Sequence, residues 1–111
     1  MRIIEFGPEE SRPVDLYASH GFTVAPLSHG QESTVACVRL TPGGLIGPHE
    51  AVGRQVLAIV VGNAVVSGAD GVELHLSAGQ AAVWEAGEIH QTRSVDGLTA
   101  IVIEDHFTTT T

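Results

Sequence analysis

From Thr34 onward the chain alternates short apolar runs, rich in valine, isoleucine and threonine, with breaks at glycine. Successive strand side chains point to opposite faces, and β-branched residues pack well on a pleated surface, so each run predicts a strand. "TVACVRL" runs into Pro42-Gly43-Gly44, "QVLAIVV" ends at Gly62-Asn63, and "AVVS" ends at the Gly68–Gly71 turn. "VELHL" ends near Gly79, "QAAVWE" at Ala86-Gly87 and "IHQTRSV" at Asp96-Gly97, and "LTAIVIE" closes the series. Gly-Asn and Asp-Gly pairs tolerate positive φ and predict hairpin turns between β-branched runs. About seven strands at this rhythm predict an all-β antiparallel sandwich or barrel.

Period-two patterning sorts the faces. Gln55, Leu57, Ile59 and Val61 share one side of their strand, and Val56, Ala58 and Val60 share the other. Both sides are apolar, which predicts a strand covered on both faces. In "VELHL", Val72, Leu74 and Leu76 share a face, and Glu73 and His75 point away from it. Residues 1–33 are less regular: "RIIEF" and "FTVAPL" read as edge strands of the same domain. Between them "PEESRPVDLYASHG" holds two prolines, leaving room for at most a short helical turn. The barrel proper is expected over residues 34–106, with 107–111 a frayed tail.

A length of 111 residues confines the chain to one domain. The net charge is −8, and the five basic residues, all arginine, are scattered at positions 2, 12, 39, 54 and 93. No basic stripe exists, which argues against nucleic-acid binding. No apolar run approaches the ~20 residues that span a bilayer, so no membrane partner is expected. Charges throughout residues 1–20 argue against a signal peptide, and the cytoplasm is the expected location. The single Cys37 rules out an internal disulfide and reads as a small apolar residue of the core or an interface.

Between Pro42 and Ser94 the spacing of glycine and histidine resembles the cupins, which are antiparallel double-stranded β-helix (jelly-roll) barrels. Gly43 is followed by five residues and His49, and Gln55 stands six intervening residues before Gly62. Relative to the first cupin motif, Ala51 occupies the second histidine position and Gln55 the glutamate position. In "GQAAVWEAGEIHQTRS", Gly79, Gly87 and His90 keep the spacing of the second motif, with Glu85 in its proline slot and Ser94 in its asparagine slot.

The resemblance implies a site in the barrel mouth where His49, Gln55 and His90 converge on a divalent transition metal such as nickel, zinc, manganese or iron. Two imidazoles and an amide bring no negative charge, so such a metal would be weakly held. Ala51 would open space for a ligand group, Glu50 could add charge if its loop turns inward, and Trp84 could wall the pocket. Glu88 could orient a ligand, and Arg39 or Arg54 could meet a carboxylate. Glu85 reads as solvated, and His20, His29 and His106 lie outside both motifs. Two readings follow: a cupin binding a small polar or anionic molecule beside a weakly held metal, with metal-dependent activity, or a metal-free ligand-binding or regulatory module. Exposed sheet edges and the two N-terminal runs predict a homodimer.

Overall fold

The computed structural model describes residues 1–106, so the expected frayed tail at 107–111 lies outside the described residues. The described residues form eight strands and two short 3-10 turns, Pro8–Glu10 before the first strand and Leu16–Ala18 after it. The strands are β1 (Arg12–Pro13), β2 (His20–His29), β3 (Ser33–Glu50), β4 (Gln55–Ser67), β5 (Glu73–Ser77), β6 (Ala81–Trp84), β7 (Ile89–Arg93) and β8 (Leu98–Asp105). "FTVAPL" lies within β2, whereas "RIIEF" forms no strand. The stretch between them, expected to hold at most one short helical turn, holds both 3-10 turns, the two-residue β1 and the start of β2.

All pairings are antiparallel, and two strands are long enough to serve both sheets of the jelly roll. The first halves of β3 and β4 join β1, β2, β8 and β6 in the order β1-β2-β3-β8-β4-β6. Their second halves join β7 and β5 in the order β3-β7-β4-β5. Two expected turns are therefore corners within continuous strands. Gly43 (φ +79°) and Gly62 (φ +88°) take the left-handed conformation that lets β3 and β4 pass from one sheet to the other. A methyl group at Gly62 would strike the carbonyl of Gly97, so that corner also packs closely, whereas the Gly43 corner is open. Asp96-Gly97 does turn the chain, but it carries it between sheets, because β7 and β8 do not pair.

The inner faces meet in a core of Val38, Leu40, Leu57, Ile59, Val66, Trp84, Leu98 and three alanines. Burying a side chain such as Leu57 contributes about 1.5–3 kcal/mol. β4 is not covered on both faces, contrary to its pattern. A register shift between Ile59 and Val61 turns Val61 outward, and Val60 and Val61 are both exposed. β5 is a sheet edge with Leu74, Glu73 and His75 exposed and Leu76 half-buried. Cys37 is fully buried and lies outside the main core cluster. Among the described residues no helix is long and apolar enough to cross a membrane.

Candidate functional site

Two rows of side chains line one cavity of about 350 Å³ at the end of the barrel. The first row crosses one sheet: Thr34, Glu104, Gln55 and Trp84 are successive cross-strand neighbours on β3, β8, β4 and β6. The second row belongs to the other sheet, where His49 on β3 is directly opposite His90 on β7. Phe22, Val24, Val38, Ile46, Leu57 and Val102 supply apolar wall. None of the five arginines lines this cavity.

The aromatic rings form a continuous row, stacked at one end and tilted through the rest. Tyr17 lies over His49 with centroids 4.3 Å apart and planes within 6°. His49 meets His90 at 4.3 Å, and His90 meets Trp84 at 4.4 Å. Each imidazole is fixed by a carbonyl two residues earlier: Nδ1 of His49 lies 2.8 Å from the Gly47 carbonyl, and Nδ1 of His90 lies 3.1 Å from that of Glu88. A carbonyl only accepts, so each Nδ1 must carry the proton. In the neutral ring Nε2 then keeps a free lone pair. Burial pushes the His90 imidazole below its ordinary value. The Glu88 carbonyl opposes that shift, charge on His49 reinforces it, and the Glu88 and Glu104 carboxylates oppose it. His90 is therefore a neutral hydrogen-bond acceptor at neutral pH.

His49, Glu50, Gln55, Trp84 and His90 all border the cavity, and Ala51 does not. Ala51 is buried in the core cluster, with its N–H on the Glu88 carbonyl and its own carbonyl accepting from Gly87. β3 ends at Glu50, so strand alternation no longer carries Ala51 to the cavity face. The space expected there is filled. The arginines expected to meet a carboxylate are engaged elsewhere: Arg54 pairs with Asp105, and Arg39 donates to Ser11 and to the Phe6 carbonyl. Glu88 uses its carboxylate to accept the backbone N–H groups of Ala69 and Glu85. It shapes the turn before His90, and its carbonyl orients the ring.

Two residues were not singled out by the motifs. Glu104 accepts a hydrogen bond from the Gln55 amide at 3.2 Å, placing a carboxylate one strand away from the position where the motif would have one. A methyl at Gly53 would strike the carbonyl of Asp105, so glycine there allows the β3–β4 connection to close against the end of β8. Tyr17 is the other. Gly47 lies so close to the Tyr17 carbonyl that a methyl there would overlap it, and its N–H donates to Ser19 Oγ at 2.9 Å. Tyr17 and Ala18 adopt left-handed φ values of 60° and 58°, which brings the tyrosine ring onto His49. Outside this stack, His29 and His106 both contact the Thr34 hydroxyl, at 3.1 and 2.7 Å.

The donor set does not fit a resident metal held by three or four acidic or imidazole side chains. Among the described residues, no three His, Cys, Asp or Glu side chains come together as such a cage. A cation at the histidine pair would have two imidazoles and at most the amide oxygen of Gln55, whose amide nitrogen donates to Glu104.

No family model matches the chain, and no curated protein matches it. Solved structures do. The polyketide cyclase RemF from Streptomyces resistomycificus superposes with a TM-score of 0.84 at 15% identity, covering 96% of this chain and 80% of that one. KdgF from Halomonas sp. gives 0.78 at 20% identity, covering 96% of each chain. An RmlC-like cupin from Shewanella frigidimarina gives 0.77 at 21% identity, covering 91% of this chain and 88% of that one. At these identities the likeness is one of fold.

Proposed function

We propose that this chain, which has the fold of a small single-domain cupin, binds a small, largely apolar molecule that donates hydrogen bonds to the His49–His90 pair. The observation that carries this reading is the division of the cavity wall. Carbon surfaces make up much of the lining, and its polar members include two imidazoles that offer Nε2 lone pairs when neutral and the carboxylates of Glu104 and Glu50, beside the donor-and-acceptor groups of Tyr17, Thr34, Gln55 and Thr92. Pockets of this kind take affinity from apolar contact and orientation from a few polar groups. An anionic ligand finds no cation in the wall and meets carboxylates instead. The metal-free module is thus the better supported of the two readings.

Trp84 is the chain's only tryptophan and lines the cavity, so its fluorescence reports occupancy. Titration with para-nitrobenzyl alcohol, a neutral contact quencher, should give saturable one-site quenching. Val38→Phe, which adds bulk to the cavity wall, should weaken it. Quenching that rises without saturation, or is indifferent to Val38→Phe, contradicts the proposal.

A further inference from the structure

Resting on the reading of the cavity above, we propose that its natural ligand is an organic ammonium ion: an amine whose apolar body fills the barrel and whose charged nitrogen sits beside Glu104. Glu104 is half-buried at the mouth, and its carboxylate accepts from the neutral Gln55 amide at 3.2 Å. Among the described residues the ion pairs are Arg54–Asp105 and Arg93–Glu73, so no arginine neutralises Glu104. A partly desolvated carboxylate without a positive partner is costly, and an incoming ammonium supplies that partner.

The other groups at the mouth agree in sign. The Nε2 atoms of His49 and His90 can accept but not donate while the rings are neutral, and an ammonium offers several N–H donors. Glu50 adds a second, exposed carboxylate at the rim. Phe22, Tyr17 and Trp84 border the same space, and aromatic rings attract cations through their quadrupole. A charge of −8 across the chain adds a long-range attraction in the same direction. A neutral alcohol would use the acceptors but leave Glu104 without a counter-charge, and a carboxylate would be repelled.

The test displaces bound para-nitrobenzyl alcohol with benzylamine, benzyl alcohol and benzoate, which share a ring and differ in charge. Benzylamine, protonated at neutral pH, should compete at least roughly tenfold better than benzyl alcohol, and benzoate worse than either. In Glu104→Gln, checked for folding by circular dichroism, benzylamine and benzyl alcohol should compete alike. Equal competition in the wild type overturns the proposal, and that comparison needs no variant. A preference that survives Glu104→Gln and disappears in Glu50→Gln overturns the assignment to Glu104. If the nitrobenzyl probe itself fails to bind, the cavity reading falls and this one with it. If the probe binds without an amine preference, only this one falls.

Discussion

Replacing Gly47 with alanine tests how the aromatic stack is held. The added methyl would overlap the Tyr17 carbonyl, and backbone cannot swing aside as a side chain can. Residues 17–19 must therefore move off β3. Leaving the Gly47 N–H without Ser19 Oγ in a buried setting costs about 1–3 kcal/mol. Parting Tyr17 from His49 costs about 0.5–1.5 kcal/mol more. Replacing glycine in a strand returns roughly 0.5–1 kcal/mol. The net loss is about 0.5–4 kcal/mol, and at roughly 4 °C per kcal/mol the melting midpoint should fall by about 2–16 °C. Far-UV circular dichroism measures the midpoint, and the proton shifts of the His49 ring report whether Tyr17 has left. Ser19→Ala serves as the partial control, because it removes the acceptor without forcing the turn away. A Gly47→Ala midpoint within about 2 °C of wild type, with unchanged His49 shifts, would refute this account of the turn.

Acid should destabilise the fold through His90. Its folded value lies below the ordinary 6.5, so as pH falls through 6.5 the unfolded chain takes up a proton that the folded chain does not. The contribution is full above 6.5 and is lost below it, so His90→Gln should flatten that part of the midpoint-versus-pH curve. A curve identical in slope for the two proteins contradicts this. Gln55→Glu sets a second carboxylate beside Glu104. It should lower the midpoint in chelator and give a larger zinc-induced rise than wild type shows, whereas equal zinc responses would show that the position does not reach a cation. We also propose a homodimer that covers the apolar row Val35–Ile103–Val56–Val83 on the outer sheet face. Sedimentation should give twice 11.6 kDa, and Ile103→Lys should halve it. A wild-type monomer, or a dimer insensitive to Ile103→Lys, contradicts the proposal.

The barrel was legible because Gly43 and Gly62, and Gly79 and Gly87, stand at the spacings of the two cupin motifs, and all four adopt positive φ. Spacing alone does not separate a hairpin from a corner. Both require positive φ, and what distinguishes them is whether the flanking runs pair with each other, a tertiary property. Ala51 was misplaced because the motif's second histidine position implies a side chain facing the site, whereas here β3 ends one residue earlier, at Glu50. Glu104 left a faint trace, as the charged member of the set Leu98, Ala100 and Val102. The opposite face of "LTAIVIE" is also apolar, so the cavity side could not be chosen without knowing that β8 lies between β3 and β4. Tyr17 left none. Its place depends on two left-handed residues and on a glycine thirty positions away in the chain.

The central claim is that His49 and His90, in their neutral form, carry the proton on Nδ1 and present Nε2 to a ligand in the barrel. Long-range nitrogen–proton NMR correlations of the imidazole rings, recorded above neutral pH with and without para-nitrobenzyl alcohol, test it directly. Both rings should show the proton on Nδ1 in the free protein, and both Nε2 resonances should move as the probe saturates. A proton on Nε2 of either ring, or Nε2 resonances that stay fixed while the probe binds, would contradict it.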